Sequence, residues 1–427
     1  MLRSPSRSRL QRTAIVFFGL LLLESAWLVP LASAQQVVAT VKVGTTPYGI
    51  AYDSGKGEVF VVNRDSDNVS VISDSTNEVV ATVALPPDSG PYSAAYDSAK
   101  GEVFVTVSGT DTIAVISDAT NTIVATIHLA VGNGPEGITY DPGKGEIFVA
   151  NFVSGTVSVI SDSTNKVVTR VPLPPGSGPY EAAYDSAKGE VFVADGYGTS
   201  NVSVISDTTN TVVANIAVGN DPFGVAYDPA KGEVFVTDGG DTNTSIISDT
   251  TNTVIGTIVG VGVYDAVYDS ARGEIFVSDA GSNPGLVSVI SDSTNRVIDT
   301  VSVGNEPIGL AYDSGKGEVF SANSGNGTVS VISDINMSTT TTSASSSSLT
   351  STSSPTSTSS TSSSTTSAAT ASALSTTTQV SSSSSGSGVP EFPYQLVGAS
   401  FFTILLAGAY LLIRSRGFPR ERSRVGV

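Results

Sequence analysis

A unit of about forty-four residues recurs seven times along this chain, and no other feature limits its fold as tightly. A Tyr-Asp pair begins at Tyr52, Tyr96, Tyr140, Tyr184, Tyr227, Tyr268 and Tyr312, at spacings of 44, 44, 44, 43, 41 and 44 residues. An Ile-Ser-Asp triplet follows each pair, ending at Asp74, Asp118, Asp162, Asp207, Asp249, Asp292 and Asp334. A fixed period in the forties marks a repeat architecture, in which no unit buries its faces alone and each packs against its neighbours.

The unit from Ser93 to Glu136 reads as four short strands. The first ends at Asp97, and Ser-Ala-Lys-Gly turns the chain into a second, Glu102 to Val107, which is β-branched and aromatic with no helical period. A Ser-Gly-Thr-Asp loop leads to a third, and Asp118-Ala-Thr-Asn121 turns into a fourth, Asp and Asn being residues that bond nearby backbone N–H groups at turns. The second and third strands are apolar on both faces, as a sheet sandwiched between two others requires. Four strands repeated seven times predict an all-β fold, a seven-bladed β-propeller of four-stranded blades. The last unit lacks its fourth strand, and Val37–Val43 before the first unit has the fourth-strand pattern. This strand, 37–43, is expected to complete the last blade and close the ring, leaving no open edge.

The propeller is expected over 35–335, with different material on either side. Residues 1–34 read as a secretory signal peptide: four arginines, an apolar run from Ala14 to Leu31, and Ala32-Ser-Ala34 as the cleavage site. An exported chain without cysteine must hold itself together without disulfides. Residues 336–389 are Ser/Thr-rich and too poor in apolar surface to fold, which predicts a disordered stalk. Residues 390–427 hold Pro390-Glu-Phe-Pro393, an apolar stretch over 396–413 read as a transmembrane helix, and five arginines that place the end inside and the propeller outside. The chain is thus expected to be membrane-anchored at the cell surface with an extracellular propeller. Sequons at Asn68, Asn201, Asn243, Asn326 and Asn336 are glycosylation candidates. Setting aside four arginines and Glu24 before residue 35, and five arginines, Glu391 and Glu421 after 334, leaves 12 basic against 36 acidic residues. Such a domain does not bind nucleic acid by neutralising phosphate.

The repeat resembles the YVTN family of β-propellers found in archaeal and bacterial surface proteins. The residues that carry the resemblance are the second-strand ends Phe60–Asn63 and Phe148–Asn151, with variants at Phe192–Asp195, Phe235–Asp238 and Phe276–Asp279. Phe104–Val107 departs at its last position and Phe320–Asn323 at its second. The ending from Pro390 is similar to Pro-Glu-Phe-type sorting signals processed by exosortases and archaeosortases. These resemblances imply a propeller with a surface or periplasmic binding role and name no ligand.

Catalytic groups are scarce. The only histidine, His128, falls on a fourth strand, and the only tryptophan lies in the signal segment. Without cysteine, copper, haem c and iron–sulfur chemistry lose their usual ligands, so no cofactor and no metal is expected. Two loops, Asn63–Asn68 and Asp238–Asn243, space oxygen ligands for calcium but lack a closing Glu. Most Asp residues recur at turns, so chemistry requires a break in the repeat. Four residues before each repeated Tyr stand Tyr48, Tyr92, Glu136, Tyr180, Phe223, Tyr264 and Ile308, and next to them Gly49, Ser93, Gly137, Glu181, Gly224, Asp265 and Gly309. If the first strand is innermost, Tyr48, Tyr92, Glu136, Tyr180, Glu181, Phe223, Tyr264 and Asp265 form an aromatic, acidic rim suited to sugar rings or cationic groups. The expectation is a non-enzymatic propeller engaging a glycan or envelope protein, as a monomer or in a surface array. The alternatives are an exported carboxylate hydrolase or lyase, and a structural surface-layer component.

Overall fold

The computed structural model describes residues 35–197 and 199–334. The expected signal peptide, stalk, sorting motif, membrane helix and Asn336 lie outside the described residues. Every second strand is a run of β-branched and aromatic side chains such as Glu102–Val107, buried on both faces. It pairs with a first strand on one side and a third on the other, and the fourth lies outermost. Seven such four-stranded antiparallel sheets make a seven-bladed propeller, and the first strands contact one another in a closed inner ring. The first strand is therefore innermost.

The core consists of seven layers between neighbouring blades. Phe60, Phe104, Phe148, Phe192, Phe235, Phe276 and Phe320, one per second strand, anchor them and are all essentially inaccessible. Each contributes roughly 1.5–3 kcal/mol by leaving water. Between the first two blades, Phe60, Val62, Val69 and Val71 pack on Val103, Val105 and Ile116. The layer that closes the ring joins Phe320, Val329, Val331 and Val41 to Val59, Val61 and Ile72.

Val41 belongs to the strand Gln35–Lys42, which pairs antiparallel beside Thr328–Asp334 and completes the last blade. The strand begins two residues earlier than the expected 37–43 and ends one earlier. Val43 still donates its N–H to the Gly327 carbonyl at 3.0 Å.

The repeated Tyr-Asp pair and the Lys-Gly turn form a belt at one end of the barrel. Asp53 Oδ1 accepts the N–H groups of Gly55 and Lys56 at 2.8 and 3.1 Å, holding the turn. The phenol of Tyr96, from the next blade, interacts with the same carboxylate, and Tyr52 meets Asp313 across the closing seam. Lys100, Lys144, Lys188, Lys231 and Lys316 each reach the triplet Asp of the following blade or the one beyond closure, at 3.2–3.8 Å. Glycine is required after the lysine: Gly57 has φ +67°, and a Cβ there would lie 2.5 Å from the Asp74 carboxylate.

Candidate functional site

The opposite end of the barrel carries the loops into the first strands and the loops between second and third strands. Each first strand except that of the sixth blade has a bulge at its start. Pro47 sits opposite Asn63 and Ile50 opposite Val61, so Tyr48 and Gly49 share one partner and turn towards the channel. In the sixth blade Val263 replaces the proline, and the inner strand is only Ala266–Asp269. There Val263 and Tyr264 both donate N–H groups to the Ser278 carbonyl.

The eight predicted rim residues separate into three places. Tyr48 and Tyr92 form a tilted pair with ring centroids 4.4 Å apart and hydroxyls 3.2 Å apart. Arg64 lies over both rings, 5.6 and 5.5 Å from their centroids, and Tyr92 is buried by this packing. Glu136 stands beside them, its carboxyl pushed up to about 7 by burial, against the pull of Arg64 and the Tyr92 phenol. Burial likewise raises the Tyr48 phenol to about 12.

Tyr180, Phe223 and Tyr264 build a second group, an aromatic arc over consecutive blades. Tyr180 stacks on Phe223 at 4.5 Å and 26°, and Phe223 meets Tyr264 edge-on at 5.2 Å. Phe152 extends the arc, 5.0 Å from Tyr180 and 5.6 Å from Tyr197, a residue that is 64% exposed. Val153 beside it is 67% exposed.

Glu181 and Asp265 occupy the third place, inside the bore. They line a cavity of ≈ 140 Å³ together with Tyr48, Tyr92, Phe223 and the inner-strand backbone. Glu181 Oε1 accepts N–H groups from Ile138 and Ala182 at 3.1 and 3.3 Å, and Ser93 Oγ donates to its other oxygen at 3.4 Å. Asp265 accepts Ala266 N–H and Leu310 N–H, both at 2.8 Å. Both residues are half-buried by their accessible surface, yet protein surrounds them, and that enclosure governs the desolvation of their carboxyls. Burial pushes Asp265 up to about 7; burial and then the Asp265 charge push Glu181 up to about 8.

Glycines make room for these two acids. A Cβ at Gly137 would lie 2.2 Å from the Tyr180 carbonyl and 2.6 Å from Glu181 Cα, and one at Gly224 would lie 2.6 Å from Asp265 Cα. Around the ring the position alternates Gly49, Ser93, Gly137, Glu181, Gly224, Asp265, Gly309, so each side chain stands between glycine neighbours. The bore is too narrow for a side chain from every blade.

Sequence reasoning missed Arg64, Phe152 and Tyr197. The first two follow directly after the Phe-Val phrase, where the other blades have Ser108, Gly196, Gly239, Ala280 and Ser324. Two large side chains among five small ones were the available signal. The two loops weighed for calcium are otherwise engaged. Asp67 accepts three N–H groups from Asp88, Ser89 and Gly90 at 2.7–3.0 Å, and Asp241 accepts the Asn220 backbone and side-chain N–H groups. Among the described residues no group of three His, Cys, Asp or Glu is arranged to hold a metal. His128 is exposed on the fourth strand Thr122–His128. Of the described sequons, Asn326 is exposed, while Asn68, Asn201 and Asn243 are half-buried.

The closed ring of seven four-stranded sheets is the fold shared with known structures. Hydrazine synthase of Kuenenia stuttgartiensis aligns with a TM-score of 0.59 at 17% identity, over 67% of this chain and 95% of that one. A streptogramin B lyase structure aligns with a TM-score of 0.59 at 17% identity, over 68% of this chain and 94% of that one. No family model matches the sequence, and no curated protein matches it either. At such identity the likeness is one of fold.

Proposed function

We propose that this protein is a non-catalytic recognition propeller displayed at the cell surface, binding a glycan through the rim of its channel. The observation that carries this is the aromatic arc from Tyr197 through Phe152, Tyr180 and Phe223 to Tyr264, part exposed, on only one side of the mouth. Flat apolar rings flanked by polar loops stack on sugar faces and lose little entropy in doing so. Display at the surface rests on the signal-like start, the Ser/Thr-rich stretch and the arginine-flanked apolar end. The resemblance of the repeats to YVTN propellers is in keeping with it. A non-catalytic role is supported by the use of Glu181 and Asp265, each of which accepts two inner-strand N–H groups and serves as wall rather than as a free acid or base.

The test is a glycan array probed with the protein and with a Phe152→Ala/Tyr197→Ala variant. Binding that falls by about tenfold or more in the variant supports the rim site. Binding unchanged in the variant moves the site elsewhere. No binding by the unaltered protein removes glycan recognition and leaves structural display as the better account. Tyr92 is a poor choice for this test, since its truncation would also open a cavity under Tyr48.

A further inference from the structure

The propeller has few positive charges, and their placement is uneven. Of the 12 basic residues in 35–334, seven stand at the turns between first and second strands, in the belt that joins the blades. Of the five others, Lys166 and Arg170 share one groove with His128, the chain's only histidine. The groove lies between the outermost strands of the second and third blades, Thr122–His128 and Lys166–Pro172, and measures ≈ 570 Å³. Thr126, Asn165 and Thr169 supply hydroxyl and amide groups to its wall, and no carboxylate lines it. Lys166, Arg170 and His128 are all exposed.

The position of Arg170 is Thr40, Thr82, Thr126, Asn215, Thr257 and Thr300 in the other blades, so its charge breaks the repeat. Lys166 and Arg170 are four residues apart on one strand, on the order of 13 Å along it. That spacing matches an extended ligand with recurring negative groups better than a single small anion. Elsewhere the acidic surface repels such a ligand, which leaves this groove as its landing place.

We propose that the groove between the outer strands of the second and third blades binds an acidic polysaccharide, with Lys166, Arg170 and His128 facing its carboxylates or sulfates and the Thr and Asn side chains meeting its hydroxyls. An acidic peptide is the less suitable partner. A peptide strand would add to the sheet edge by main-chain pairing, but the outer strand carries a bulge: Val159 faces Thr169 while Ile160 faces Val167, leaving Val168 unpaired. A bulge of this kind disrupts the ladder that strand addition needs. What remains is side-chain recognition by cations and hydroxyls. The site stands apart from the rim and does not depend on the rim's role.

The experiment measures binding of the full-length protein to polygalacturonate and dextran sulfate, with neutral dextran and poly-L-glutamate beside them. Lys166→Glu/Arg170→Glu is compared with Lys42→Glu/Arg296→Glu, which makes the same change in net charge at other exposed outer-strand positions. The expected result is binding to both acidic polysaccharides, weakened by salt and lost by about tenfold or more in the groove variant alone. Equal loss in the two variants reduces the effect to net charge and overturns the site. Failure of either polysaccharide to bind at low salt, or poly-L-glutamate binding as tightly as polygalacturonate, overturns the ligand class. Because both substituted residues are exposed, melting temperatures should match between the variants, and a groove variant that melts lower is replaced by Lys166→Gln/Arg170→Gln.

Discussion

The two ends of this barrel are built from the same seven repeats and differ in how closely they keep to them. At the turn end, Tyr, Asp, Lys and Gly recur in nearly every blade, and each contact made within a blade is matched by one to the next. At the rim end no two neighbouring blades present the same set of side chains, although the first two share a Tyr. Assembly needs every blade to join its neighbours in the same way, so the belt is held to the repeat. The rim is under no such demand, and its irregular residues are those free to recognise something. Symmetry identifies structure here, and its breaks identify candidate function.

If that contrast is sound, the largest stability loss belongs to the belt. Asp141→Ala removes the acceptor of the Gly143 and Lys144 N–H groups, at 2.7 and 3.2 Å, and one of the two carboxylates that Tyr184 meets, Asp207 at 3.2 Å being the other. Losing the two charge-assisted bonds that this buried carboxylate makes to the turn, and its contact with the next blade, should cost about 3 kcal/mol, read as a lowered denaturation midpoint. A loss under 1 kcal/mol would remove the belt from the account of assembly.

The next effect is of opposite sign and lies beneath the rim. Asp195 is fully buried where three other blades carry Asn63, Asn151 and Asn323, and burial pushes its carboxyl up to about 7. The folded chain holds a proton that the unfolded chain, with a carboxyl near 4, has released. This contribution is therefore intact below about pH 4, shrinks as pH rises towards 7, and above that is a full penalty. Asp195→Asn should stabilise the protein by about 2 kcal/mol at pH 8 and by almost nothing at pH 4. Glu136, Glu181, Asp238 and Asp265 are raised for the same first reason, burial, so the unaltered protein should melt higher at pH 5 than at pH 8. A melting curve flat in pH would contradict both statements.

The smallest changes sharpen the comparison. Lys100→Ala loses a partly exposed pair with Asp162 at 3.8 Å and should cost no more than about 1 kcal/mol. Tyr197→Ala should leave stability within about 0.5 kcal/mol while weakening glycan binding, a separation that thermal melting and array binding measure together.

Seven blades, four strands to a blade, and the borrowed strand were all legible in the spacing of Tyr-Asp and Ile-Ser-Asp, because strand and turn chemistry is local. The second role of those Asp residues was not. Asp53 reads as a turn former, but the phenol it also meets, on Tyr96, is forty-three residues away. Likewise the inner-strand position of Tyr180 was accessible from the repeat, whereas its stacking with Phe152 depends on a loop from the preceding blade. The alternation of Gly137, Glu181, Gly224 and Asp265 was visible as letters, but its reason, the crowding of seven backbones about one axis, is geometric.

The strand borrowed from the start of the chain has a mechanical consequence. The last described strand, Thr328–Asp334, lies between Glu318–Asn323 and Gln35–Lys42 and is not an edge. A pull on the chain beyond Asp334 is therefore taken lengthwise by two ladders of hydrogen bonds sharing the load, instead of peeling one strand away bond by bond. A tether at that point tightens against a clasp.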